Sequence, residues 1–332
     1  MRTISPDTAW RYPIHRRYES NGGEGIFAQG TPRAKAQERP LPPSIPAKVG
    51  VSLQGGHRTK GHRKIARDGK PLVSIITVVR NGVPLLDKTI ASILNQTYDN
   101  IEYVVIDGGS TDGTLEILRD NEGAIDYWLS EPDGGVYEAM NKGLEHCSGD
   151  LIGIIGAGDW YEEVAVERAV GVFLRTRCEV VYGDVEVMDA ESGVSHFRTS
   201  SSELMPKTMS SISHPTVFAK RSVYVPRLFD TRFRIAADYD LFLGRYKAGC
   251  YFEHSGGLTT HIRTGGVSGS LLTLVEVFLV HRKYYGAPYA LRRFIQSASW
   301  RVFYESRRLA LRLLLPPSTY RTLRTWWLRK GH

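Results

Sequence analysis

Short apolar runs spaced by amphipathic segments restrict the fold of this chain more than any other feature. Leu72–Val79, Ile101–Ile106 and Ile125–Leu129 read as strands, and Leu85–Leu94 and Leu115–Asn121 between them read as helices. Alternation of this kind predicts a parallel sheet with right-handed crossovers. The pattern continues past residue 130. Val136–Cys147 is a helix whose Val136, Met140, Leu144 and Cys147 form one stripe, started at Asp133-Gly134-Gly135 and stopped at Ser148-Gly149. Leu151–Ile155 follows without polar alternation, the mark of a strand covered on both faces, and ends at Gly156-Ala157-Gly158-Asp159. Ligands of open α/β sheets lie beyond the carboxyl ends of strands, which makes Asp159 a candidate ligand for a divalent metal holding a diphosphate.

Charge is distributed unevenly along the 332 residues. The net +8 divides into +9 over residues 1–71, +11 over 281–332 and −12 between them. An acidic centre suits a site that uses metal to bind anions, and basic ends suit an anionic surface. Residues 1–70 have few aliphatics and read as a disordered basic arm, with no aromatics interleaved in HRTKGHRKIARDGK to support nucleic-acid binding. The odd, widely spaced Cys147, Cys178 and Cys250 support neither a disulfide framework nor a zinc site, and point to a reducing compartment. No run of about 18 uninterrupted apolar residues is present, which argues against a spanning helix. The glycines after the second strand, Gly108, Gly109 and Gly113, have the wrong spacing for GxGxxG, against a dinucleotide dehydrogenase.

Beyond Tyr161, Glu162–Arg175 is an amphipathic helix, Glu179–Met188 a strand, and Val194–Arg198 its hairpin partner. Asp107 ends its strand as Asp159 does, so it either bonds a nucleotide base or ribose or caps its own turn. Asp184 lies on a solvated strand face or in a site. His214-Pro215 is structural or touches a substrate. In Ile235–Leu243 a helix begins near Asp238; Asp238 and Asp240, two apart, point in different directions, so one faces the cleft and the other caps or is solvated. Gly265–Ser268 is a turn, gating or plain. Apolar Leu271–Val280 is interrupted by Glu276 and is too short to span a bilayer. In 291–313, Leu291, Ile295, Ala298, Val302, Leu309 and Leu313 recur at helical spacing among arginines, with Trp326-Trp327 further on. This basic amphipathic pattern predicts a membrane-surface element, against the alternatives of a helical cap or a dimer contact.

Seven motifs, in order, resemble glycosyltransferase family 2, in the subgroup of bacterial polysaccharide and glycolipid biosynthesis that includes colanic-acid and phenolic-glycolipid transferases. They are SIITVVRN (74–81), VVIDGGSTDGT (104–114), SEPDGGVYEAMNKG (130–143), GAGDWY (156–161), YGD (182–184), HPTVF (214–218) and AADYDLFL (236–243). Beside the basic amphipathic pattern, which makes 271–332 a C-terminal helical, membrane-peripheral segment, the resemblance implies a GT-A fold over 71–270, a Rossmann-like mixed sheet flanked by helices. It implies an inverting transferase that moves a sugar from a nucleotide-sugar donor to a saccharide or lipid-linked acceptor at the inner face of the cell membrane. The alternative is a nucleotide-sugar-binding protein without catalysis. Carried over by position, Asp107 matches the aspartate that contacts the base. Thr77 and Asn81 match the nucleotide-side end of the first strand, and Asp133, Asn141 and Lys142 the donor-pocket lining. Asp159 matches the metal-motif aspartate, for Mg²⁺ or Mn²⁺, and Asp238 the catalytic base, with Asp240 its rival. Gly158 precedes Asp159 where a second acid often stands, and Ala237 occupies the Glu position of the Glu-Asp motif.

Overall fold

The computed structural model describes residues 52–67, 69–190, 193–263, 270–316, 318–320 and 322–323. The arm over 1–51, the turn at Gly265–Ser268 and the Trp326-Trp327 pair lie outside the described residues. The expected alternation is present as β2 (Val73–Val79), α1 (Leu86–Leu94), β3 (Ile101–Asp107), α2 (Thr114–Asp120), β4 (Tyr127–Ser130), α3 (Val136–His146) and β5 (Leu151–Gly156). Strands β4, β3, β2 and β5 lie side by side and parallel. Every residue of β2 and β3 is buried, because helices cover both faces of the sheet. One apolar layer gathers Ile76, Met140, Leu144 and Phe242, the other Ile75, Ile90, Leu118 and Val166. Helix α3 approaches β2 so closely that a Cβ on Gly143 would lie 2.3 Å from Ile76 Cγ2.

Beyond β5 the sheet turns mixed. β6 (Trp160–Tyr161), α4 (Ala165–Thr176), β7 (Val180–Met188), β8 (Ser195–Arg198), β9 (Phe218–Lys220), α5 (Arg221–Tyr224), α6 (Ala237–Lys247) and β10 (Phe252–Arg263) follow in the chain. β9 is antiparallel to both β5 and β7, and β10 runs parallel to β7. The expected start of order at Pro71 needs correction. β1 (Leu53–Gly55) pairs antiparallel with β4, within the stretch read as a disordered arm. What holds this polar segment is charge: Arg58 reaches buried Glu102 at 3.4 Å, and Lys64 reaches buried Asp126 at 2.8 Å. Each cation compensates a carboxylate that would otherwise be costly to bury.

The chain continues into α7 (Leu271–Tyr285) and α8 (Ala287–Leu314), which pack as a hairpin with Phe278 and Phe294 rings 5.8 Å apart. Among the described residues no helix is long and apolar enough to cross a membrane. Helix α7 lies on α6, where buried His281 Nε2 sits 2.8 Å from the Tyr239 hydroxyl. Burial, helped by Arg293, pushes the His281 pKa down to about 4. The folded protein therefore binds fewer protons than the unfolded chain between pH 4 and about 6.5. Stability from this group is complete above that window and is lost as pH falls through it, by up to about 3 kcal/mol. Melting curves from pH 7 to 5 should fall more steeply for the native protein than for His281→Gln; parallel slopes would refute the assignment.

Candidate active site

The residues expected on the nucleotide side by the motif resemblance sit where β2, β3 and β4 end. Asn81 adopts a left-handed backbone (φ 53°), uncommon outside glycine, and its Oδ1 accepts the Thr111 amide at 3.0 Å. Its own amide donates to Ser110 Oγ at 2.7 Å, and the Ser110 hydroxyl in turn donates to Asp107. Asp107 also accepts from Ser130 Oγ at 2.6 Å and is fully buried, so it braces this loop. Asp133 accepts from the Gly135 amide at 2.9 Å, and burial raises its pKa. A Cβ on Gly108 would fall 2.5 Å from Asp133 Oδ2, so the turns after β3 and β4 touch. Lys142 pairs with Glu131 at 2.8 Å beside them.

Two of the sequence-derived candidates point elsewhere. Thr77 is fully buried and its Oγ1 accepts the Tyr103 hydroxyl at 3.2 Å, which places it in the core. Asn141 is also buried, and its amide makes two 2.9 Å bonds to the Phe229 backbone, tying α3 to the segment before α6.

Asp159 follows β5 in a tight turn. Thr89 Oγ1 accepts the Gly158 amide at 2.9 Å and donates to Asp159 O at 2.7 Å. Gly158 has φ +101°, and a Cβ there would press 3.1 Å from Leu85 Cδ1. The turn thus requires glycine where a second acid would have stood. The Asp159 carboxylate accepts the Arg263 amide at 3.2 Å, and among the described residues no Lys or Arg side chain pairs with it. Burial pushes its pKa up to about 7. A desolvated carboxylate without a countercharge fits a divalent cation, which needs few protein ligands when diphosphate oxygens and water supply the rest. Among the described residues no cluster of three or more His, Cys, Asp or Glu could hold a metal without such help. Beside Asp159, Trp160 stacks on His261 at 4.8 Å with Lys88 Nζ 3.0 Å over its ring, a grouping with no signature in the sequence.

Asp238 occupies the first turn of α6 and is partly exposed. Its Oδ1 accepts the Tyr239 amide at 2.8 Å and lies 2.9 Å from the Tyr137 hydroxyl, which is also 2.5 Å from Ile235 O. Its Oδ2 faces His214 Nδ1 at 3.5 Å. Burial lowers the His214 pKa against the pull of Asp238, so the imidazole is neutral near pH 7. Asp240 differs in every respect. It is buried and held by Arg227 at 3.0 Å and by Lys283 at 2.8 Å, so it cannot receive a substrate proton. Asp184 is likewise occupied, by His254 at 2.9 Å and the Ser200 amide at 2.8 Å. Sequence reasoning missed Tyr137 as a partner of Asp238; its place two residues after Asp133-Gly134-Gly135, in the first turn of α3, is the available signal.

Residues 74–230 match the family model described as glycosyl transferase family 2. A PGL/p-HBAD biosynthesis glycosyltransferase of Mycobacterium bovis is 30% identical over 178 residues, 51% of this chain and 68% of that protein. The chain belongs to glycosyltransferase family 2. Another relative, an uncharacterised glycosyltransferase of Mycobacterium tuberculosis, is 46% identical over 90 residues, 27% of this chain and 34% of that protein. The chain thus spans about a third of that relative's length. Among solved structures, S. aureus TarS 1-349 in complex with UDP-GlcNAc superposes with a TM-score of 0.53 at 15% identity, covering 74% of this chain and 77% of that one. That likeness is one of fold, and it agrees with the GT-A sheet expected from the motifs.

Proposed function

We propose that this family 2 protein transfers a sugar from a nucleotide-sugar donor to a saccharide or lipid-linked acceptor, with inversion at the anomeric carbon. The observation that carries this reading is Asp238, a partly exposed carboxylate at a helix start whose Oδ1 is engaged by Tyr137 and the Tyr239 amide and whose Oδ2 faces His214 Nδ1 at 3.5 Å. The acceptor hydroxyl gives its proton to Asp238 as its oxygen attacks the anomeric carbon. In the same step the bond from that carbon to the diphosphate breaks, and its electron pair leaves with the nucleoside diphosphate. Asn81, Asp107, Asp133 and Lys142 border the nucleotide side. Asp159 would hold Mg²⁺ or Mn²⁺, which supplies charge neutralisation for the leaving diphosphate. The UDP-GlcNAc complex of TarS supports a nucleotide-sugar donor, and the PGL/p-HBAD relative supports an acceptor in glycolipid synthesis. The test is nucleoside-diphosphate release from a panel of UDP-, GDP- and dTDP-sugars with Mn²⁺. No release from any donor, with or without saccharide and lipid acceptors, would defeat the reading.

Location follows from α8. Leu291, Ile295, Val302, Leu309 and Leu313 fall on one stripe, each more than half exposed, within a helix carrying six arginines and one acid. Such a helix lies in the interface of an anionic bilayer, here the inner face of the cell membrane. Replacing Ile295, Val302 and Leu309 by Glu should abolish sedimentation with phosphatidylglycerol vesicles while leaving the melting temperature unchanged, since all three side chains are exposed. Undiminished vesicle binding would exclude this face.

A further inference from the structure

The chain that enters the helix carrying Asp238 is fixed from outside that helix. Its N-cap residue is Ala236, which has no side-chain acceptor to offer the free amides of the first turn. Of those amides, the Tyr239 one is taken by Asp238 Oδ1, so where the first turn sits decides where the carboxylate points. The three amides that lead into the helix are held from about 40 residues away in the sequence. Glu276 of α7, itself only 5% exposed, accepts the Arg234 amide at 2.9 Å, the Ile235 amide at 2.8 Å and the Ala236 amide at 2.9 Å.

Three charge-assisted bonds to one buried carboxylate at the positive end of a helix form a strong, directional clamp. It lies immediately before Ala237 and Asp238, where the chain turns into α6. The same segment is gripped from the other side by the Tyr137 hydroxyl on Ile235 O. From the geometry we infer that Glu276 is a positioning residue for the base: by fixing the backbone of Arg234, Ile235 and Ala236 it sets where Asp238 stands at the start of α6. The inference rests on the reading of Asp238 as the base. It also gives α7 a role beyond packing: the helix hairpin with the proposed membrane face is the part that fixes the base.

Losing the clamp leaves the Arg234, Ile235 and Ala236 amides without their acceptor, two of them buried, and loosens the entry into α6. A displacement of about 1 Å at a reacting group can cost on the order of 100-fold. Glu276→Ala should therefore lower kcat for release of nucleoside diphosphate from the best donor of the panel by about 10–100-fold. The donor dissociation constant, read by thermal shift, and donor KM should stay within about twofold, because the nucleotide side is built on other strands. Glu276→Gln, the same size with one acceptor oxygen, should recover part of the kcat; it also serves alone if the alanine variant does not fold. A folded Glu276→Ala protein with native kcat would overturn the inference. So would a parallel loss of kcat and donor affinity, which marks a general structural defect. Asp238→Asn separates the two claims: if it retains turnover, the base reading falls, whereas if it is inactive and Glu276→Ala is not impaired, only the positioning role falls.

Discussion

Asp238→Asn should reduce glycosyl transfer by about 10²–10⁴-fold, the usual contribution of a positioned general base. Asparagine keeps the shape and the acceptor oxygen that meets the Tyr239 amide and Tyr137 hydroxyl, so the fold and the donor site should be undisturbed. What it cannot do is take a proton. Nor can the neighbours replace it: burial and the Asp238 charge raise the Tyr137 pKa and keep that hydroxyl protonated, and Asp240 is enclosed between two cations. The control is Asp240→Asn, which should lower the melting temperature by unpairing Arg227 and Lys283 while sparing kcat at low temperature. The readout is single-turnover transfer from the best donor. Turnover within a few-fold of native for Asp238→Asn would sink the assignment.

The four parallel strands were legible because each is a near-continuous apolar run between turn residues, and nothing else in the chain competes with that pattern. β10 was not legible. Its sequence, FEHSGGLTTHIR, has neither period-two alternation nor an apolar run, and its pairing with β7 is interrupted by register shifts near Gly256 and Gly257. Neighbouring strands, rather than its own residues, make it a strand. β1 was hidden for a related reason: its segment is polar, and the carboxylates that hold it, Glu102 and Asp126, lie elsewhere in the sequence. Within the site, Asp238 and Asp159 were visible as acids at element ends. Thr77 and Asn141 were misplaced because a hydroxyl or amide that lines a pocket and one that ties two backbones together look identical in one dimension. Glu276 read only as an interruption of an apolar stretch, since nothing in the sequence near residues 234–236 records that their amides are held by residue 276.

Asp159 presents the opposite balance, in which activity and stability pull apart. Its carboxylate is desolvated enough to hold its pKa near 7, yet no basic side chain among the described residues compensates it. A charge buried without a partner destabilises the fold that contains it. Asp159→Asn should therefore raise the melting temperature of the metal-free protein at pH 8, the behaviour of a site kept for function at the expense of stability. The same change should remove the increase in melting temperature that Mn²⁺ with a nucleotide sugar gives the native protein, because a ligand stabilises only the state it binds. Turnover should fall by about 100-fold or more, since neutralising a leaving diphosphate is worth several kcal/mol at 1.36 kcal/mol per decade. Restoring an acid at the adjacent position should not recover the loss, because Gly158 at φ +101° packs against Leu85 and any side chain there strains the turn. The combination is diagnostic. A variant that melts lower than native without metal, and still gains stability from Mn²⁺ and donor, would mean that Asp159 is an ordinary structural acid and that the cation, if one binds, is held by other groups.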